Sequence, residues 1–480
     1  MSNSSQVRVI PWVLVLVIGT VLLFGVAPDM TWMGLGADSP GYVASTIRLV
    51  PGDRSGYPTY ILIGHLFQYL PSNPYWNLGL LSALSTLGTS VLIYRLVRQY
   101  TDDLGLALAG MVLYPASFIV WTQSVIPEVY TFTAFLMLLG AYLVLQSSKE
   151  VGMGVWGLAV MAHPLALLGA SVFLWTHRGS WPLAGFLIGL APGVLFLAVA
   201  PPLEDGGELG FLTGALGLVG GLSLVPPGPT VQRFWEAGTI LLLGPGLLVL
   251  YLLTVGGLKG DWRSSTGPAG ILLVVGLLVC GLYFISFPPQ WVVYLVPGLA
   301  FLIPGILIMV GRTFEGVRII PSLPGVGLGL LLLGWNLYAY DIGFSIDPQP
   351  TTARQFYQEL RSLPGNSVVY DHTWGYTEVL AQSYIQLEDT NLVSLSGTYG
   401  PVVRTHRMRE GYLAGSRGGP IAYGQEGRDA ENLQESNPSR EIYISYLEDT
   451  GPIRFGLVPI SLYSSDLNNL PERGSTNVRD

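Results

Sequence analysis

Gly36-Ala37-Asp38-Ser39-Pro40-Gly41-Tyr42, continued by Arg54-Ser55-Gly56-Tyr57-Pro58-Thr59-Tyr60, is where the chain first turns from apolar to polar. It follows an apolar run, Val9 to Pro28, long enough at ~1.5 Å per residue to cross ~30 Å of hydrocarbon. Asp38 therefore stands just beyond a membrane edge. Beside it, Ser39-Pro40 reads as a helix start, a capping hydroxyl followed by proline in the first turn. Val43, Ala44, Ile47 and Val50 then share one face, with Ser45 and Arg48 off it. That spacing predicts a short helix lying on the membrane surface.

The composition extends this reading to the whole chain. Half of the 480 residues are hydrophobic and only 11% are charged, the balance of an integral membrane protein. Charge is uneven, with 11 of the 23 Lys+Arg in residues 342–480. Two parts are expected: a membrane body over 1–343 and a polar domain over 344–480. A net charge of −8, with Lys149 and Lys259 the only lysines, leaves no basic face for nucleic acid. The single cysteine, Cys280, excludes an intramolecular disulfide. Gly25-Val26-Ala27-Pro28 is a poor cleavage site, so the first apolar run reads as a span and not as a signal peptide.

Apolar runs of spanning length fall near 9–28, 77–97, 104–121, 128–146, 151–163, 164–177, 182–200, 233–254, 268–287, 291–310 and 321–341, about eleven transmembrane helices. Alternating the loops places Arg8, Arg95, Arg98, Lys149, Arg178, Lys259, Arg263, Arg312 and Arg318 on one side, against Arg48, Arg54 and Arg233 on the other. The positive-inside rule then predicts a cytoplasmic N-terminus and, with an odd span count, an extracytoplasmic C-terminal domain at the cell membrane. Residues 57–70 are too short to span and contain His65 and Gln68, so a re-entrant or interfacial element is expected. In the tail, helix-like stretches at 351–363 and 376–386 alternate with strand-like ones at 367–370, 391–394, 441–446 and 455–463. This pattern predicts a small α/β domain.

With the spans nearly free of charge, chemistry must come from the outer ends. Two carboxylates, Asp38 and Glu128, two imidazoles, His65 and His163, and Arg54 are placed there to converge, with Gln290 and Arg233 as further candidates. Each also has a plain structural reading. Asp38 can cap a helix, Glu128 can complement a helix dipole, the histidines can be packed or interfacial, and the arginines can snorkel to head groups. No metal-ligand spacing occurs, so no cofactor is expected, although a divalent ion is not excluded.

The order of these features resembles the GT-C superfamily of polytopic glycosyltransferases, which use lipid-phosphate-linked sugars. Asp38-Ser39-Pro40-Gly41-Tyr42, Gly56-Tyr57-Pro58-Thr59-Tyr60, Asn77-Leu78 with Leu81-Ser82-Ala83-Leu84, and Trp121 through Glu128-Val129-Tyr130 are similar to one branch. That branch holds uncharacterised bacterial members and the animal protein O-mannosyltransferases that modify plexin-type domains. The tail is similar from Leu363-Pro364-Gly365-Asn366-Ser367 through Phe455-Gly456-Leu457-Val458-Pro459, so the resemblance covers most of the chain. Two motifs depart from the branch. Gly41 or Tyr42 stands where a glutamate usually follows the aspartate, and Asp53-Arg54-Ser55 precede Gly56-Tyr57-Pro58 in place of His-Pro-Pro. Sugar and acceptor are therefore not carried over.

The resemblance implies an all-α polytopic membrane enzyme with a small C-terminal α/β domain. It would transfer a sugar, mannose being one candidate, from a polyprenyl phosphate to a hydroxyl of a protein or glycan, with inversion. Asp38 matches the family's catalytic position and would be the base, with Glu128 beside it. Arg54, Tyr57, His65, His163, Arg233 and Gln290 would bind donor phosphate or substrate. The rival class is a transporter or lipid flippase, which would place ionisable groups at mid-membrane within paired broken repeats. Neither feature is evident in the sequence.

Overall fold

A computed structural model describes residues 3–27, 39–49, 57–177, 179–199, 267–286, 293–313, 322–340, 368–371, 442–449 and 453–459. Contacts divide the chain into two units, Met1–Ile346 and Asp347–Asp480. The described part of the first unit is helical, and that of the second is a small sheet.

Helix α1 (Asn3–Gly25) buries Leu14, Ile18 and Leu22, spaced by four along one stripe, together with Val26 just beyond its end. It leaves Trp12, Leu16 and Phe24 exposed, as expected of a helix that meets lipid on its other side. Short helices α2 (Ser39–Arg48) and α3 (Pro58–Phe67) follow. Next comes α4 (Pro74–Thr101), whose first turn is capped by Asn73 Oδ1 accepting from the Tyr75 amide.

α2 does not lie amphipathically on a surface. Tyr42, Val43, Ser45 and Thr46 are all buried, because the helix packs against α3 and α4. The predicted polar face at Ser45 is therefore inside the fold.

The predicted span at 104–121 is two helices, α5 (Leu104–Ala116) and α6 (Phe118–Ser124), bent by 65° at Ser117. Pro115 has no N–H to give the Met111 carbonyl and its ring crowds the preceding turn, so the helix breaks where proline dictates. α7 (Val129–Leu145) and α8 (Lys149–Ala162) come next. His163, held extended by Pro164, ends α8 and separates it from α9 (Ala166–Thr176). α10 (Ser180–Val199), α11 (Pro268–Ser286), α12 (Leu295–Thr313) and α13 (Ser322–Tyr340) complete the helices.

Among the described residues three helices, α4, α10 and α12, are long and apolar enough to cross a membrane, or four if the α5–α6 pair is one span. This is fewer than the eleven expected from the sequence. Several of the apolar runs form helices under 18 residues, among them α7 with 17 residues and α9 with 11. The predicted span at 233–254 lies outside the described residues.

α8 and α10 cross with their backbones in contact. A Cβ on Gly189 would fall on the Gly154 carbonyl, one on Gly185 on the Glu150 carbonyl, and one on Gly157 on the Phe186 carbonyl. Gly185, Gly189 and Gly193, four apart, form the small-residue stripe that permits this approach between apolar helices.

In the second unit β1 (Val368–Asp371) pairs parallel with β2 (Ile442–Asp449), and β2 pairs antiparallel with β3 (Ile453–Pro459) in the order β1-β2-β3. The register aligns Val368 with Ile442 and Asp449 with Ile453. These strands fall on three of the predicted ones. The fourth, at 391–394, and both predicted tail helices lie outside the described residues.

Candidate active site

The segment Val125–Glu128, between the bent helix α6 and α7, organises the site. The Ala27 amide, at the end of α1, donates to the Val125 carbonyl at 2.8 Å. The Ser39 hydroxyl, at the start of α2, donates to the Pro127 carbonyl at 2.8 Å and lies 3.3 Å from Glu128 Oε1. Ala27 and Ser39, which flank segment 28–38 in the chain, are thus both tied to the stretch that ends in Glu128. Packing reinforces the tie. A Cβ on Gly25 would meet the Trp121 ring at 2.7 Å, so only glycine lets α1 close on α6.

Glu128 is 2% exposed. It occupies the N-cap position of α7 with extended backbone (φ −142°, ψ 145°), yet its side chain makes no capping bond there. Its Oε1 faces Ser39 instead, so it makes no cap bond to its own helix. Its backbone is fixed from α4, where Ser82 Oγ donates to the Glu128 carbonyl (3.2 Å) and accepts from its amide (3.3 Å). Ser82 tops a stripe of buried hydroxyls on α4: Ser85, Thr86, Thr89 and Ser90 each donate to a carbonyl four residues back. Thr86 also meets Ser124 of α6 at 2.8 Å. The Tyr60 phenol of α3 is pushed well above its ordinary range, first by burial and then by the nearby Glu128 charge.

An aromatic cluster adjoins the carboxylate. His163 stacks on Tyr57 (centroids 5.4 Å, 23° between planes) and contacts Tyr130 at 5.5 Å and Tyr294 at 5.6 Å. Tyr42 meets Tyr57 and Tyr60 edge-on at 5.5 and 5.4 Å. His163 Nδ1 accepts from the Leu165 amide at 3.1 Å, so in the neutral ring the proton sits on Nε2. Tyr57 adopts the left-handed conformation (φ 39°, ψ 49°) directly before Pro58, a costly geometry that the surrounding packing enforces.

Of the residues proposed from sequence, the structure brings Glu128, Tyr57 and His163 together, the last two in ring contact and joined to the Glu128 segment through Tyr130. His65 sits at the other end of α3, on the order of 12 Å along the helix from Tyr57. Its Nδ1 donates to the Thr46 carbonyl at 2.7 Å and its Nε2 accepts from Tyr69 at 3.2 Å. Asp38, Arg54, Arg233 and Gln290 lie outside the described residues. Among the described residues no cluster of three His, Cys, Asp or Glu side chains could hold a metal ion. Sequence reasoning missed Ser82, Tyr42, Tyr60, Tyr130 and Tyr294 as parts of the site. The hydroxyl stripe on α4 carried a usable signal, since polar side chains repeating at three and four along an apolar helix face the bundle interior. Tyr42, Tyr60 and Tyr130 stand in the motifs that carry the resemblance, whereas Tyr294 carried no signal.

Residues 38–201 match the family model of the protein O-mannosyl-transferase TMEM260 N-terminal domain. The match begins at Asp38 and contains every described site residue except Tyr294. The crystal structure of ArnT from Cupriavidus metallidurans in the apo state superposes with a TM-score of 0.60 at 12% identity, covering 95% of this chain and 99% of that chain. The structure of the same protein bound to undecaprenyl phosphate gives 0.57 at 12% identity, covering 79% and 85%. No curated protein sequence matches the chain. The chain thus shares its fold with ArnT over most of its length, and its segment 38–201 is similar to the O-mannosyl-transferase domain of TMEM260.

Proposed function

We propose that the protein transfers a sugar, mannose being the leading candidate, from a polyprenyl-phosphate donor to a hydroxyl of a protein or glycan acceptor, with inversion, on the extracytoplasmic side. The observation that carries this is that Ala27 and Ser39, the residues on either side of segment 28–38 in the chain, are both hydrogen-bonded to the stretch Val125–Glu128, which ends in a buried carboxylate. The similarity of 38–201 to an O-mannosyl-transferase domain and the lipid phosphate held by the ArnT neighbour support the donor class.

In this reading the acceptor oxygen attacks the anomeric carbon and gives its proton to Asp38, which is covalently next to Ser39. The bond from the anomeric carbon to the phosphate oxygen breaks, and the polyprenyl phosphate departs with the electron pair. No general acid is needed, because phosphate is already a good leaving group. Arg54, with Arg233 in support, neutralises the charge that develops on it. Glu128, fixed by Ser82 and Ser39, orients the acceptor or Asp38. Tyr57 and His163 line the donor side, where a neutral Nε2–H can donate to a sugar hydroxyl. Apolar helices of the 1–343 body seat the isoprenoid, and the domain over 344–480 recognises the acceptor. No metal is required by this scheme.

The test is to incubate purified protein with a panel of polyprenyl-phosphate sugars and follow sugar release and transfer by mass spectrometry. Release from one donor, abolished by Asp38→Asn, is the expected result. Turnover of no donor in the panel, or undiminished turnover in Asp38→Asn, overturns the reading.

A further inference from the structure

α2 lies in the chain between two residues that the proposed reaction uses: Asp38 precedes its first residue, and Arg54 follows six residues after its last. Its N-terminal end is held by Ser39 against Pro127 and Glu128. Its C-terminal end is held from the last turn of α3 by a separate set of contacts. His65 Nδ1 lies 2.7 Å from the Thr46 carbonyl. A carbonyl only accepts, so Nδ1 carries the proton and Nε2 is left to accept from Tyr69. Gln68 Nε2 donates to Thr46 Oγ1 at 2.9 Å, and that hydroxyl donates in turn to the Val43 carbonyl at 2.8 Å. A Cβ on Gly64 would meet Thr46 Cγ2 at 2.6 Å, so the close approach of the two helices requires glycine. The carbonyls of a helix's last turn have no partner within the helix. His65 supplies one for Thr46.

We infer that His65, with Gln68, is a positioning latch that fixes the C-terminal end of α2, the helix that lies between Asp38 and Arg54 in the chain, and that it does not contact the donor. The inference rests on the reaction proposed above. It reassigns His65 from the substrate-binding role expected of it from sequence. The latch works through Nδ1 alone, which separates two amide replacements: asparagine places its Nδ2 donor where Nδ1 lies, whereas glutamine places its donor nearer Nε2.

The experiment compares His65→Leu, His65→Asn and His65→Gln in the full-length protein. Amide hydrogen exchange of residues 39–49 is read alongside hydrolysis of undecaprenyl-phosphate mannose. His65→Leu and His65→Gln should speed exchange in α2 about five- to tenfold, the loss of one hydrogen bond, with α4 unchanged. They should lower kcat by about 10- to 100-fold, the effect of a small misplacement of reacting groups, with the donor KM within about twofold. His65→Asn should restore both. Should His65→Leu misfold, Gln68→Leu removes the second bond and should move exchange and kcat the same way by a few fold. Unchanged exchange in His65→Leu overturns the latch, as does His65→Asn behaving like His65→Leu. A raised donor KM at constant kcat overturns it too, because His65 would then touch the donor. If the wild type turns over no donor, the proposed reaction fails while the exchange data still decide the latch.

Discussion

Ser39 shares one hydroxyl hydrogen between the Pro127 carbonyl and the Glu128 carboxylate, and it is 2% exposed. Ser39→Ala would leave both acceptors buried with one donor fewer. A loss of about 1–3 kcal/mol is expected, read as a lower unfolding temperature in detergent, together with reduced transfer. A wild-type unfolding temperature would show that the contact contributes nothing. Asp38 is tested by a substitution that separates two roles. Asn caps a helix about as well as Asp, so Asp38→Asn should fold and insert normally. If Asp38 is the base, transfer should still fall by about 10²–10⁴-fold. A pure cap predicts the opposite: Asp38→Asn fully active, and Asp38→Ala less stable by about 0.5–2 kcal/mol. In that event Glu128 becomes the base to examine.

At the scale of elements, two devices set the site's geometry. Pro115 breaks an apolar run so that α6 turns through 65° and delivers Val125–Glu128 across the ends of α1 and α2. The glycine stripe on α10 lets α8 approach closely, and α8 ends in His163. Gly189→Leu should therefore push the two helices apart. It is expected to lower stability by about 1–3 kcal/mol and to reduce activity through His163. Gly281→Ala is the matched control, since nothing lies within 4 Å of a Cβ placed there. A thermal-shift series in which the two substitutions behave alike would refute the backbone contact.

For the whole molecule the open question is sidedness. Nine basic residues in the loops assigned to the inside, against three outside, predict that the domain over 344–480 is extracytoplasmic. Cys280 is buried and is the chain's single cysteine, so Cys280→Ser gives a clean background. A single cysteine at Ser475 should then react with an impermeant maleimide on intact cells. Reaction only after lysis would place the domain inside and change the span parity by one. The chain's other division, into Met1–Ile346 and Asp347–Asp480, gives the natural cut for a truncation. Removing the second unit should spare slow donor hydrolysis and abolish transfer to the native acceptor.

The sequence alone determined where the helices lie. Outside 201–266, each predicted apolar run falls on a described helix or helix pair, because a segment that leaves water must satisfy its backbone internally. Local chemistry also marked the start of α2 at Ser39 and the break at Pro164, since capping and proline act within a turn. The bend at Pro115 was equally local and still went unread, because length and apolarity made 104–121 look like one span. Only the tertiary structure decided that Glu128 turns from its own helix toward Ser39 and that His65 bonds to the Thr46 carbonyl of α2. It alone gathered Tyr42, Tyr57, Tyr130, His163 and Tyr294 into one cluster. These residues come from five separate stretches of chain with no common period, and their meeting depends on how helices pack, which local spacing does not encode.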